Sequence, residues 1–236
     1  MKAAAKQASS ASEKLAIARR LSMQMTWAEG PLKFDLFAQT WANLELVRKA
    51  WPNDRNAVVQ SGIMQADMAS GFNLWPKSAE ILLEILPAAV KTDAEPQVEE
   101  KLGQAYDQSG NPAEAEKHLL AAERAMHRVH PNRVESESIL STIGMFYTRQ
   151  NKPLEAIQRF REAGALPGQD IVNRMQFQLS VVKQAARLGN DAGVPEFARF
   201  DDLIRESQRT PLSPEDATQI RDMKQHAQRI RDASHR

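Results

Sequence analysis

The residues of this chain that could do chemistry do not converge on a working constellation. His127 and His130 stand three residues apart near a helix end. Two imidazoles at that spacing can share a metal, but no Asp, Glu or third His is patterned with them as a zinc site requires. His118 and His226 are isolated in sequence. Glu99-Glu100 and Asp201-Asp202 are adjacent pairs, and neighbours on a helix diverge by about 100°, so neither pair suits joint acid–base work. No Gly-rich phosphate loop and no Gly-x-Ser-x-Gly elbow occurs. The chain has no cysteine, which excludes disulfides, thiolate metal sites and cysteine nucleophiles. The expectation is a non-enzyme with no catalytic residue, no metal and no cofactor.

The elements that carry the remaining polar residues announce themselves by repetition. One stretch reads Leu102-Gly103-x-x-Tyr106-x-x-x-Gly110-Asn111-Pro112-x-x-Ala115, with Leu119 and Ala122 beyond. A second reads Ile143-Gly144-x-x-Tyr147-x-x-x-Asn151-x-x-x-x-Ala156, with Phe160 and Ala163 beyond. Gly103 and Gly144 are small residues on a first helix where a second helix must come close. Tyr106 and Tyr147 are expected to fill space between neighbouring pairs. Gly110 and Asn111 end one helix, and both tolerate the left-handed conformation that a tight exit needs; Asn151 is the turn residue aligned with Gly110. Asn111 suits the N-cap of the next helix, with Pro112 in its first turn and Glu114 at its third position. A repeat of helix, turn and helix predicts a stacked α-solenoid.

This pattern resembles the tetratricopeptide (TPR) repeat family, over roughly 96–130 and 137–168. The two repeats are offset by 41 residues, longer than the roughly 34 of the ordinary repeat. The extra length falls in Ala121–Ser138 and includes His130-Pro131, so the long second helix is similar to the kinesin-light-chain type. The resemblance implies an all-α, right-handed solenoid of antiparallel helix pairs. Residues 54–90, around Gly71-Phe72-Asn73, read as a degenerate pair. So do 170–208 around Gly189-Asn190, where Ala185 falls at the Tyr position and Val194 where Ala is usual.

In that family the first helices line a concave groove that binds peptides or proteins. By resemblance the groove here carries Gln97, Glu100, Lys101, Gln104, Asp107 and Gln108 from one repeat, and Ser138, Ser141, Thr142, Met145, Thr148 and Arg149 from the next. The following helix offers Gln176, Ser180, Lys183 and Arg187. Gln, Ser and Thr can hydrogen-bond an extended peptide, and Arg149 or Arg187 can pair a carboxylate. The carboxylate clamp of chaperone-binding members needs cations, but its positions here are Glu100, Gln104, Thr142, Gln176 and Ser180.

About eleven helices are expected, with few strand signals. Residues 1–10 read as disordered and 11–53 as an N-terminal helical pair. Residues 54–208 form the solenoid, and 209–236 a C-terminal capping helix. Ser10-x-x-Glu13 and Thr92-x-x-Glu95 read as capping boxes, and Ser213-Pro214-Glu215-Asp216 opens the last helix. Phe34, Phe37, Trp41, Leu44 and Trp51 recur at helical spacing as one apolar face, with Val47 beside it. Trp27, Trp41, Trp51 and Trp75 are expected in the core; exposed, they would be binding anchors. The first helix, with Leu15, Ile17, Ala18, Leu21 and Met25, is expected to pack on the second. Ile220, Met223, Ala227 and Ile230 make a narrow stripe on the last helix. The basic tail (Arg221, Lys224, Arg229, Arg231, Arg236) reads as a solvated face.

The formal net charge is +1, which argues against a dedicated nucleic-acid binder. No apolar run approaches the roughly 18 residues of a membrane span. The start is basic without the apolar stretch of a signal peptide, so a cytoplasmic location is expected, or a periplasmic one if a signal has been removed. The leading expectation is a non-catalytic scaffold or adaptor for a protein or peptide of unknown identity. The alternatives are a self-associating structural subunit and a regulatory sensor of a small molecule or signal peptide.

Overall fold

A computed structural model describes residues 10–129 and 135–234, all side chains excepting a few within helices. The described residues form eleven helices and no strand. They are α1 (Ala11–Trp27), α2 (Gly30–Ala50), α3 (Arg55–Gly71), α4 (Trp75–Ala89), α5 (Glu95–Gln108), α6 (Pro112–Val129), α7 (Glu135–Arg149), α8 (Pro153–Gly164), α9 (Ile171–Leu188), α10 (Asn190–Ser207) and α11 (Pro214–Ser234). The chain divides into two compact units, Met1–Ala125 and Met126–Arg236, and the division falls inside α6. The expected disorder of the N-terminus and the expected His130-Pro131 turn fall on residues outside those described, apart from Ser10.

In the first unit, α1 begins at a capping box. The Ser10 hydroxyl accepts from the Glu13 amide at 3.2 Å, and the Glu13 carboxylate accepts from the Ser10 amide at 3.0 Å. Leu15 and Ala18 of α1 share a core with Leu44 and Val47 of α2 and with Ala57 and Met68 of α3. Helices α3 to α5 build a second core around Ile81, Leu82, Ile85, Val98 and Leu102. In the second unit, α9, α10 and α11 share a core in which Met175, Phe200, Ile220 and Ala227 are buried. Met223 and Ile230 pack against it, so the narrow stripe of α11 lies on the preceding pair.

The small residue on each first helix has a steric cause. A Cβ added at Gly103 would lie 2.5 Å from Leu119 Cγ, and one at Gly144 would lie 2.7 Å from the Phe160 ring. No real Cβ sits that close, so the pairs depend on these glycines. Leu119 and Phe160 are the large residues sixteen positions on. Ala115, Ala122, Ala156 and Ala163 are fully buried where the second helix lies against the first.

The turn residue obeys a hydrogen-bond rule. Gly110 has φ +76° and Asn151 φ +56°. At the first exit the Gly110 amide donates to Asp107 O at 3.0 Å and the Asn111 amide to Tyr106 O at 2.9 Å. At the second, Asn151 donates to Thr148 O at 3.3 Å and Lys152 to Tyr147 O at 2.9 Å. Both are Schellman closures, which satisfy the last carbonyls of a helix with a left-handed residue four positions past the Tyr. The α3–α4 pair uses the same closure one turn further along. Asn73 (φ +59°) donates to Ser70 O and Leu74 to Ala69 O, both at 2.9 Å. Its close-approach glycine is Gly62, whose Cβ would meet Ile85 at 2.4 Å. The pair that looked degenerate in sequence is therefore the same pair with a longer first helix.

Several expectations are corrected. Helix α5 starts at Glu95, and Thr92 does not cap it. Thr92 Oγ1 donates to Ala89 O at 2.6 Å, and the Glu95 carboxylate accepts from the Lys91 amide at 2.5 Å, closing the preceding turn. Phe34 is 65% exposed, because α2 buries Leu36, Thr40, Leu44 and Val47 instead. Trp27 is 88% exposed, while Trp41, Trp51 and Trp75 are half-buried. In α10 the buried small residue is Gly193, and Val194 is 63% exposed. Helix α10 begins immediately after Gly189 (φ +117°), so the turn is a residue shorter and every inward position moves back by one.

Candidate functional site

The candidate binding residues lie on α5 in the first unit and on α7 and α9 in the second. On α5, Gln97 and Gln108 are exposed, and Lys101, Gln104 and Asp107 are half-buried. Lys101 Nζ donates to the Asp67 carboxylate on α3 at 2.5 Å, which holds its charge against the neighbouring first helix. Gln104 Nε2 donates to Glu100 at 3.3 Å. Glu100 itself is only 9% exposed. It is a floor residue under Gln104, which corrects its place among accessible contacts.

On α7, Met145 and Arg149 are exposed, and Ser141 and Thr148 half-buried. Ser138 is also exposed. Thr142 is 5% exposed and likewise leaves the accessible set. It lies on the face of α7 that carries the buried Ile139 and Phe146. Thr148 Oγ1 donates to Gly144 O at 2.9 Å. On α9, Gln176, Lys183 and Arg187 are exposed. Ser180 Oγ donates to Gln176 O at 3.1 Å, and Arg187 Nη1 to Gln184 at 3.0 Å. The two hydroxyl protons are thus spent on carbonyls four residues back, a common habit of Ser and Thr in helices. They can still accept. The exposed polar side chains on these faces are those of Gln97, Gln108, Ser138, Arg149, Gln176, Lys183 and Arg187.

His118, isolated in sequence, is not isolated in space. Its Nδ1 lies 2.6 Å from Glu99 Oε2, and its ring stacks on Tyr106 at 5.3 Å between centroids. Both members of the pair are buried. Tyr106 thus packs on the second helix of its own pair as well as on the α3–α5 core. The only sequence signal is that 99 and 118 flank one turn on opposing helices. This is an interior polar link between α5 and α6. His130 falls outside the described residues, and among the described residues no three His, Asp or Glu side chains group to hold a metal.

The turn between α1 and α2 carries exposed apolar side chains. Met23 and Trp27 near the end of α1 and Leu32 and Phe34 at the start of α2 are between 58% and 88% exposed. Among the described residues no helix is long and apolar enough to cross a membrane. Of the basic residues in α11, Arg231 is committed to the fold: it pairs with Asp201 at 2.9 Å and lies 4.7 Å over the Phe197 ring.

No protein-family model and no curated protein matches this chain. Solved structures do. BtubC (BKLC) from P. vanneervenii superposes with a TM-score of 0.58 at 14% identity, over 86% of this chain and 92% of that one. A protein of Podosopora anserina with nearly identical TPR-like repeats, provisionally assigned as a kinesin light chain, superposes with a TM-score of 0.59 at 13% identity, over 84% and 95%. At such identities the likeness is one of fold. The chain is an all-α helical-repeat protein with a TPR-like solenoid fold.

Proposed function

We propose that the chain is a non-catalytic scaffold that binds a protein or peptide through the exposed faces of its first helices. The observation that carries this reading is the split between the two faces of α5, α7 and α9. One face is committed to the core through Val98, Leu102, Ile143, Met175 and Val182. The other presents Gln97, Gln108, Met145, Arg149, Gln176, Lys183 and Arg187 to solvent. Stacked helix pairs hold such side chains in place before a ligand arrives, so recognition costs little ordering entropy. The TPR-like fold, which typically mediates protein interactions, supports the same reading.

The test is quantitative capture from native lysate with wild type and with a variant carrying Gln97→Ala, Arg149→Glu and Lys183→Glu. All three residues are exposed, so the variant should keep its helicity and melting temperature. Partners lost by a folded variant support the reading; partners retained at wild-type level overturn it.

A second reading has its own observation. An 88% exposed Trp27 beside Met23, Leu32 and Phe34 is the kind of rigid apolar anchor that interfaces use. Self-association through the α1–α2 turn would make the protein a structural subunit. Light scattering across a concentration series, with Trp27→Ser and Phe34→Ser as the comparison, decides it.

A further inference from the structure

Among the described residues of the second unit, Glu196 is the most deeply buried carboxylate, with its side chain only 3% exposed. Its carboxylate accepts from Arg161 of α8, from Arg199 of its own helix at 3.0 and 3.2 Å, and from Gln178 Nε2 of α9 at 2.9 Å. Gln178 also donates to the Glu196 carbonyl at 3.0 Å. Burial raises the Glu196 carboxyl, but hydrogen bonds from Gln178 and Arg161 and the charges of Arg161 and Arg199 outweigh it. The carboxyl is held below its ordinary value. One acid therefore ties three consecutive helices together.

For stability alone this is an expensive arrangement. A buried ion pair seldom outperforms apolar packing of the same volume. What the arrangement does provide is two guanidiniums fixed at one end. Their side chains are 48% exposed for Arg161 and 57% for Arg199, so both guanidiniums hold Glu196 while still reaching solvent. Both line a cleft of about 210 Å³, completed by Arg174 and by an apolar floor of Phe160, Phe177 and Leu203. Arg174 pairs at 2.6 Å with Glu206. Three guanidiniums against two carboxylates give the cleft's wall one positive charge more than its acids match, beside the small exposed edges of Phe160, Phe177 and Leu203.

We infer that this α8–α9–α10 cleft is a second peptide site, which takes an apolar side chain onto Phe160, Phe177 and Leu203 and a carboxylate onto Arg161 and Arg199. The chemistry follows from the parts. A guanidinium presents two parallel donors that match the two oxygens of a carboxylate. The cleft is smaller than the roughly 300–1,000 Å³ of sites for drug-sized ligands, so it suits one side chain and its neighbouring charge. The site is separate from the candidate binding face of α9. Arg174, Phe177 and Gln178 lie on one side of that helix, and Gln176, Ser180, Lys183 and Arg187 lie roughly opposite at helical spacing. The inference therefore does not rest on the first-helix reading and can stand or fall alone. The carboxylate is that of a peptide C-terminus, because a cleft this small takes one residue and a terminal residue carries both the apolar side chain and the charge.

The test is NMR titration of the full chain labelled in its arginine Nε–Hε groups. The probes are acetyl-Ala-Ala-Leu with a free C-terminus, the same peptide as its amide, acetyl-Ala-Glu-Leu amide, and inorganic phosphate. The expected result is saturable shifts of the Arg161 and Arg199 signals with the peptide that has a free C-terminus, while saturable binding of acetyl-Ala-Glu-Leu amide alone would overturn the assignment of the carboxylate. The Ala-Ala-Leu amide should bind at least tenfold more weakly. Arg199→Gln, with Glu196 still held by Arg161 and Gln178, should weaken binding at least tenfold while far-UV helicity is unchanged. If that variant does not fold, Arg174→Gln, which gives up only a half-exposed pair, should weaken it severalfold. Equal binding of the amide, equal shifts with phosphate alone, no saturable shift, or an unaffected folded variant would each overturn the inference.

Discussion

The α7–α8 and α9–α10 pairs sit in the same compact unit and reach the same antiparallel packing by different means. In α7–α8 the first helix yields: Gly144 has no side chain, and Phe160 of α8 fills the space. In α9–α10 the first helix keeps Val182 at the corresponding position, fully buried, and Phe200 packs in the same core. The exits differ too. Asn151 closes α7 through a Schellman motif, whereas a single Gly189 at φ +117° carries the chain from α9 straight into α10. Helix α10 also carries a buried carboxylate that ties α8, α9 and α10 together, while the apolar seam of the α7–α8 pair holds Ile143, Phe146, Ile157 and Phe160. The lesson is that the pair tolerates many side-chain solutions, provided the volume given up on one helix is filled from the other.

That comparison can be broken most sharply at Gly144. Gly144→Ala places a methyl against the Phe160 ring and should cost about 3 kcal/mol, the upper range for overpacking a filled core. Phe160→Leu in the same chain should restore part of it, as a double-mutant cycle in urea would show. Val182→Ala on the matching helix should also destabilise, by about 2 kcal/mol, because there the side chain is needed. Next comes Gly189→Ala, which forces a Cβ into a backbone region that only glycine occupies comfortably and should cost about 1–3 kcal/mol. The same change at Asn151 should cost only about 1 kcal/mol, since a left-handed residue is strained but accessible.

Glu196→Gln is expected to cost about 1 kcal/mol at neutral pH, a modest figure because both guanidiniums are half-exposed and screened. Its signature is pH dependence. The folded carboxyl lies below its ordinary value of 4.5, so its stabilisation is fully present above that value and is lost as pH falls through the lower folded value. The variant's melting temperature should therefore fall less steeply than wild type on acidification below about pH 4.5. The smallest effect is expected at Trp27→Ser. That side chain is almost wholly exposed, and stability should change by less than about 0.5 kcal/mol in thermal melts.

Much of this was legible in the chain because it depends on residues that do one job. Gly103, Gly144, Gly110 and Asn151 mark close approach and left-handed exit, and the fourfold step from Tyr106 and Tyr147 to the turn is the length of a Schellman closure. The α3–α4 pair was harder to read because an extra helical turn moves Gly62 away from Asn73. The α10 register was lost because one missing turn residue displaces each inward position. Trp27 and Phe34 defeated the stripe argument, since period alone does not say which of two nearby faces a helix buries at its ends. In the candidate site, the family resemblance set Gln97, Arg149 and Lys183 on faces that are exposed. Glu100 and Thr142 were not, because a helix face has a floor and a rim that share one periodicity. The Glu196 hub joins residues 161, 178, 196 and 199, and long-range partners of that kind leave no local pattern.

The central claim is that binding runs over the first helices. Amide hydrogen exchange of the full chain with a captured partner, against the chain alone, tests it most directly. The account predicts slowed exchange or side-chain protection concentrated on α5, α7 and α9. Protection confined to the α1–α2 turn, or to α8 and α10 with the first helices unchanged, would contradict it.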